Sequence, residues 1–371
     1  MSERVLLTGA RTAIALEAAR ALGRDGHRVF VADTFPSYVT AFSNSVEEAF
    51  ALPPPRLEPE AFLDRLVALV KRLGITRLIP TGEEGLYIAR GRERLSAECE
   101  VFCDALPVLE ALHDKLRFQT LAAAIGAVPV TESIESDGQL AELISRHGPL
   151  VIKQVHSRFG RGARLVREPC VLPPGRWLAQ QFVPGREICS LAFASAGRLL
   201  AHVCYEPRYR LPFGPSYCFV PLAHAGAETW VRSFVARHAL TGAVAFDFIE
   251  ADDGTLYPLE CNPRLTSGIH LFPRHDLAAA LLGQRECFPA PQRPAMLGAV
   301  MLGLGLTGVR TLAGLGAWLQ AFAASRDVFW DRHDPRPMLH MFSSYRHLCS
   351  LRKEHGLSFP AAATFYTEWN A

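Results

Sequence analysis

Lysine is scarce in this sequence. Of 39 basic residues only Lys71, Lys115, Lys153 and Lys353 are lysine, so arginine supplies the other 35. A side chain chosen so rarely marks positions where a compact ammonium does what a planar guanidinium cannot. An excess of either charge is also missing: 39 basic residues face 37 acidic ones, a net charge of +2. That balance excludes nucleic-acid binding through a broad basic footprint. A bilayer-spanning run is lacking, because the uncharged segment 294–309 has 16 residues against the roughly 20 required. It reads as a buried strand entering a glycine-rich turn, and no membrane partner is expected. Zinc-finger spacing is absent: Cys99 and Cys103 are the closest of nine cysteines, and no second pair or histidine follows them. An odd number of cysteines scattered through apolar stretches is the usage of a reducing compartment. With no apolar leader after Met1–Arg4, a cytoplasmic protein is expected.

What is present is ample material for a core. The chain has 371 residues, 49% of them apolar and 20% charged, which suits two or three globular domains rather than disorder. Short apolar runs at Arg4–Thr8, Arg28–Ala32, Thr76–Pro80 and Glu100–Cys103 are separated by helical patterns at Ala10–Leu22 and Glu60–Leu73. Strands spaced by helices predict βαβ units and a parallel sheet. The texture changes near Leu112. A helix over Asp114–Ile125 is followed by strand patterns joined through tight turns, as at Pro184-Gly185 and Ala251-Asp-Asp-Gly254, which predicts antiparallel pairing. The expected fold class is therefore α/β plus α+β. Residues 1–111 form a Rossmann-like domain, 112–290 a domain of antiparallel sheets, and 291–371 a largely helical extension.

Two features carry chemistry. Lys153 ends a strand (Leu150–Lys153), and the loop Ser157-Arg-Phe-Gly-Arg-Gly162 follows it. Glycines at 160 and 162 let backbone amides close on an anion, and the lysine adds a point charge. No Gly-Lys-Ser/Thr follows, so this is not a Walker loop. The second feature is a predicted hairpin bearing Asp247, Glu260 and Asn262. Glu260 and Asn262 are two apart and share a face, which Asp247 meets across the turn. Two carboxylates and an amide oxygen suit Mg²⁺ or Mn²⁺, ions that keep waters and phosphate oxygens as their remaining ligands.

Taken in order, Lys115, Lys153 with its glycine loop, Gln180-Gln-Phe-Val-Pro-Gly-Arg-Glu187, Asp247 and Glu260-Cys-Asn-Pro-Arg264 resemble the ATP-grasp superfamily. The closest flavour is biotin carboxylase and the large subunit of carbamoyl phosphate synthetase. The resemblance covers roughly residues 1 to 285, and two of only four lysines fall on the family's phosphate-facing positions. It implies that Lys115 and Lys153 contact the α- and β-phosphates of ATP. Ser157, Gly160, Arg161 and Gly162 would fold over the triphosphate, and Gln180, Gln181, Phe182 and Val183 would read adenine, largely through main-chain groups. Glu187 would accept from the ribose hydroxyls. Asp247, Glu260 and Asn262 would hold Mg²⁺, and Arg264 would neutralise the transferring phosphoryl group.

The resemblance implies a ligase that activates a carboxylate as an acyl phosphate and couples it to an amine, releasing ADP and phosphate. Its partners would be small, amino-acid-like carboxylates and amines, with a homodimer also among the expectations. A carboxylase is disfavoured because no biotin-carrier motif is present, and a full synthetase because there is one grasp unit. The alternatives are a catalytically degenerate nucleotide-binding regulator and a nicotinamide oxidoreductase built on Gly303-Leu-Gly-Leu-Thr-Gly308. The latter lacks room for a second strand before an acidic residue and reads as a packing turn. Two places remain for substrate. One is Arg208 and Arg210 in a long loop over Glu206–Tyr217; the other is Thr81-Gly-Glu-Glu84 at a strand end, as an ammonium site or an ordinary acidic helix start.

Overall fold

The computed structural model describes residues 2–155, 162–210, 214–290 and 292–369. The first part runs β1 (Arg4–Thr8), α1 (Ala13–Arg24), β2 (Arg28–Asp33), β3 (Glu48–Ala51), α2 (Pro59–Leu73), β4 (Arg77–Pro80), α3 (Glu84–Arg90), α4 (Arg92–Ser96) and β5 (Glu100–Val101). Its strands pair in parallel in the order β3-β2-β1-β4-β5. Val5, Leu6, Leu7, Val29 and Val31 are fully buried, as strands covered by helices on both faces must be. α1 starts three residues later than its apolar pattern suggests, because the Thr12 hydroxyl accepts from the Ala15 amide at 3.2 Å and caps it there. β3 was not legible in the sequence. It is an edge strand with one buried side chain, Phe50, and its neighbours Glu47 and Leu52 bond to the Val29 and Asp33 carbonyls.

α5 (Leu106–His113) precedes α6 (Lys115–Ala122), which is the helix expected over Asp114–Ile125 and ends three residues earlier. The Asp114 carboxylate accepts from the Leu116 and Arg117 amides at 2.9 and 3.0 Å, so the second helix begins on Lys115. β6 (Thr131–Ile134), α7 (Asp137–His147), β7 (Leu150–Gln154), β8 (Arg164–Val166) and β9 (Trp177–Gln181) follow, with an antiparallel sheet in the order β6-β9-β7-β8. A larger sheet is built from β10 (Arg186–Ser195), β11 (Arg198–Arg210), β12 (Ser216–Leu222), β13 (Gly242–Glu250), β14 (Leu256–Asn262), β15 (Ala295–Met296) and β16 (Arg326–Asp327). Its order is β14-β13-β10-β11-β12-β15-β16. β11 continues to Arg210 and β12 starts at Ser216, so the long loop expected over Glu206–Tyr217 is mostly sheet.

One face of the large sheet, through Ile188, Ala192, Val244, Phe246 and Phe248, packs on Trp230 and Phe234 of α8 (Ala225–Arg237). The other face, through Leu191, Phe193, Val203 and Ala245, shares a core with α1 and with α9 (Arg274–Leu281). The segment expected as a strand entering a glycine turn is a strand only at Ala295–Met296. It then winds through α10 (Gly298–Val300) and a wide helical turn, Met301–Gly305, toward α11 (Leu312–Ala324). Gly305 is wedged between Trp318, Met301 and Tyr217, so its role is packing and the dinucleotide reading falls. α12 (Arg336–Leu339), α13 (Met341–His355) and α14 (Phe359–Thr364) bring the chain back to the first domain, where Arg11 donates to the Ala363 carbonyl at 3.2 Å.

Candidate active site

The hairpin β13–β14 is the foundation of the site. Asp247 stands directly opposite Glu260 and Ala245 opposite Asn262, and the Asn262 amide nitrogen donates to Asp247 Oδ2 at 3.4 Å. Arg264 reaches back along the same face and donates to Asn262 Oδ1 at 3.2 Å. β14 runs to Asn262, so both Glu260 and Asn262 lie on sheet, as the alternation predicts. From α6, Lys115 brings its ammonium to 3.7 Å from Glu260 Oε2. From β7, Lys153 is buried among the same charges.

The electrostatics follow from this crowding. Burial and then the charge of Glu260 push the Asp247 carboxyl up to about 7, where it donates its proton to Glu260. Burial acts on Glu260 too, but Lys115 and Lys153 outweigh it and hold that carboxyl below its ordinary range. Burial pushes Lys153 down to about 8; Lys115 adds to the effect and the two carboxylates oppose it. Such a set is poorly satisfied by its own members. Cys189 and Tyr205, which the sequence reading did not single out, complete the row: Cys189 pairs across strands with both Asp247 and Tyr205. The Cys189 thiol, pushed up by burial, donates to Asp247. Strand alternation from Glu187 places Cys189 on this face, so the signal was there once the β10–β13 pairing was known.

The remaining expected residues divide. Gln180 is buried, and its amide donates to Thr131 Oγ1 at 3.1 Å and to the Leu259 carbonyl at 3.4 Å. The Gln181 and Phe182 amides are taken by the Val130 and Pro149 carbonyls, so main-chain recognition narrows to the other groups of the segment ending at Val183. Glu187 is ion-paired with Arg210, and Arg208 pairs with Glu206 at 3.3 Å. Neither arginine is therefore an unengaged carboxylate clamp. Gly162, at φ +75°, lies against the Trp177 indole, whereas Ser157, Gly160 and Arg161 lie outside the described residues.

The strand-end segment is also resolved. Glu84 Oε1 accepts from Thr8 Oγ1 and from the Thr81 and Gly82 amides, each at 3.0 Å. A Cβ at Gly9 or Gly82 would lie 2.6 or 2.7 Å from that carboxylate. Glu84 is thus a latch between β1 and β4, neighbours at which the strand order reverses, and not an ammonium site. Gly82 and Arg264 line one narrow crevice, together with Asp104, whose carboxyl burial pushes up to about 6. Among the described residues no three His, Cys, Asp or Glu side chains cluster as a metal site; two carboxylates and Asn262 are what the hairpin offers.

A parallel βα sheet followed by two antiparallel sheets is an architecture that this chain shares with solved structures. No family model and no curated protein matches the sequence. The biotin carboxylase domain of 2-oxoglutarate carboxylase from Hydrogenobacter thermophilus, solved with MgADP, ADP and bicarbonate, superposes with a TM-score of 0.62 at 15% identity. That match covers 79% of this chain and 74% of the other. N5-carboxyaminoimidazole synthetase from Staphylococcus aureus gives 0.62 at 14% identity, over 83% and 86% of the two chains. L-amino acid ligase from Bacillus licheniformis gives 0.58 at 15% identity, over 79% and 78%. This chain shares their fold.

Proposed function

We propose that the chain is an ATP-dependent ligase that activates a carboxylate as an acyl phosphate and joins it to an amine, releasing ADP and phosphate. The observation that carries this reading is the convergence of Lys115, Lys153, Asp247 and Glu260, from four separate elements, on one patch of an ATP-grasp fold. Lys115 and Lys153 place two ammonium groups where they bind phosphate oxygens as point charges, and Arg264 adds a guanidinium on the same face. The carboxylate pair fits a divalent cation: Asp247 keeps a proton because burial, and then the charge of Glu260, makes its ionisation costly. Mg²⁺ or Mn²⁺ held by Asp247, Glu260 and Asn262 would supply charge neutralisation on the phosphates. Gln180–Val183 and Glu187 take the adenine and ribose ends, the latter by exchanging Arg210 for hydroxyl donors. Support also comes from the neighbours, of which the S. aureus synthetase was solved with ADP.

ADP release with Mg-ATP and a panel of amino acids, alone and in pairs, tests the reading. Acceptor-dependent ADP formation is expected. Stabilisation by Mg-ATP with no acceptor-dependent turnover makes the chain a nucleotide-binding regulator instead.

A further inference from the structure

The hairpin that carries the carboxylates is not regular. Asp247 stands opposite Glu260, but the next residue of β13, Phe248, stands opposite Pro258, so Leu259 has no partner across the strands. Leu259 is thus the extra residue of a β-bulge, which leaves backbone groups outside the ladder and shifts the strand's alternation by one. The shift serves two faces. Pro258 is buried opposite the core side chain Phe248, while Glu260, two residues on, still meets Asp247 on the site face. Continued without the bulge, the Phe248–Pro258 register would bring Leu259, not Glu260, opposite Asp247.

What holds the bulge comes from outside the hairpin. Gln119 of α6 is buried, and its amide nitrogen donates to the Pro258 carbonyl at 2.9 Å and to the Leu259 carbonyl at 3.0 Å. Carbonyls only accept, so the nitrogen must face them. That orientation leaves Gln119 Oε1 buried and without a hydrogen bond among the described residues, an arrangement that a side chain serving only to fill space would avoid. The Leu259 carbonyl also accepts from the Gln180 amide at 3.4 Å. Gln119 follows Lys115 by one turn on the same face of α6, and β9, which carries Gln180, pairs with β7, which carries Lys153. The elements bearing Lys115, Lys153 and Glu260 are therefore tied together at one bulged carbonyl, with Lys115 Nζ held 3.7 Å from Glu260 Oε2.

We propose that Gln119 is a positioning residue of the active site: by clamping the bulge at Pro258 and Leu259 it aims Glu260 at the metal and keeps Lys115 beside it. This rests on the ATP-dependent ligase reading, with Mg²⁺ or Mn²⁺ at Asp247, Glu260 and Asn262. Gln119 does not itself bind nucleotide or metal; it acts on both through Glu260 and Lys115. Residues that orient metal ligands from behind change metal affinity by about 10–100-fold when replaced. A side chain that only packs the helix lowers stability and leaves the relative affinities for metal and nucleotide alone.

Metal affinity read without turnover tests it. The full chain is saturated with ADP and titrated with Mn²⁺, the free ion being followed by its electron paramagnetic resonance signal; ADP affinity is measured separately without metal. Gln119→Met keeps the length of the side chain and removes the donor. It should weaken Mn²⁺ binding to the ADP complex about tenfold and metal-free ADP binding by clearly less. Thr120→Gly, at an exposed position of the same helix, loosens α6 without touching the clamp and should leave both affinities as in the parent. Should Gln119→Met misfold, Gln119→Asn, one methylene too short to reach both carbonyls, serves in its place. Unchanged Mn²⁺ affinity overturns the proposal, and so does an equal loss for Mn²⁺ and ADP or the same loss in Thr120→Gly. A parent chain that binds no ADP overturns the ligase reading instead, and melting temperatures then decide the clamp. The loss from Gln119→Met should be smaller in a Glu260→Gln background, where the Lys115–Glu260 attraction is already gone, and strictly additive losses overturn the proposal.

Discussion

Two buried charge clusters in this molecule differ in a way that separates architecture from chemistry. Glu17 of α1 is fully buried and accepts from His270, Arg274 and Arg326, each at 3.0 Å. Burial by itself would raise that carboxyl, yet the His270 hydrogen bond and the arginine charges hold it far below its ordinary range. In the β13–β14 cluster the balance runs the other way: Asp247 is pushed up to about 7 and Lys153 down to about 8. One cluster secures the charge of its carboxylate; the other secures Glu260 but drives Asp247 and Lys153 toward neutrality. The first is complete within the chain and ties α1 to the C-terminal part; the second needs outside charges to be satisfied.

The largest expected effect on stability breaks the first cluster. Glu17→Gln removes the fully buried carboxylate that joins His270, Arg274 and Arg326, of which Arg274 keeps only Asp331, and should cost up to about 3 kcal/mol of stability, read from urea unfolding. Turnover per folded molecule should not change. Glu260→Gln makes the opposite cut. Turnover should fall about 10²–10³-fold, through lost electrostatic stabilisation in the transition state; the fold holds because Asp247, relieved of the Glu260 charge, ionises beside the lysines in its place, and nucleotide binding falls less than turnover. If Glu260→Gln unfolds the protein and Glu17→Gln abolishes activity without unfolding it, the two clusters have been assigned the wrong way round.

How much of this was legible in the sequence depends on whether a residue's partners are local. Strand alternation placed Glu260 and Asn262 on one face, and the scarcity of lysine singled out Lys115 and Lys153; all four meet in the fold. Glu17 was invisible, because its partners lie over 250 residues away and nothing in an amphipathic helix announces a buried carboxylate. Arg208 and Arg210 looked unengaged for the same reason: extension of β11 to Arg210 brings them against Glu206 and Glu187. The five-stranded sheet was readable except for β3, whose single buried side chain carries almost no pattern.

Acid titration sharpens the contrast without any change to the active-site lysines. Asp247 has a folded value raised to about 7 from an ordinary 3.8, so the folded chain binds the extra proton and this group stabilises most at low pH. That contribution is lost as pH rises from about 4 toward 7. Glu17 has a lowered folded value, so its contribution is present above its ordinary value of 4.5 and is lost as pH falls. Without metal or nucleotide, Asp247→Asn should therefore gain stability relative to the parent between pH 4 and 7, and the deficit of Glu17→Gln should shrink below about pH 4.5. Parallel curves for all three proteins would erase the distinction.

The smallest effect concerns the pair that belongs to neither cluster. Arg210 and Glu187 are ion-paired on the exposed part of β10 and β11, with side chains 39 and 29% accessible. Such a pair contributes about 0–1 kcal/mol to stability, since water screens it and two long side chains must be ordered. Arg210→Ala should leave the melting temperature within a degree or two. Its effect on nucleotide binding decides what Glu187 does. If Glu187 takes the ribose hydroxyls, the guanidinium competes with them in the unliganded protein, and removing it should tighten ATP binding about threefold, less than 1 kcal/mol. Glu187→Gln should weaken binding in the same assay, because a carboxylate accepts more strongly than an amide oxygen. Weaker ATP binding in Arg210→Ala would mean that the arginine itself holds the nucleotide, and the pair would then join the β13–β14 cluster as part of a site that outside charges complete.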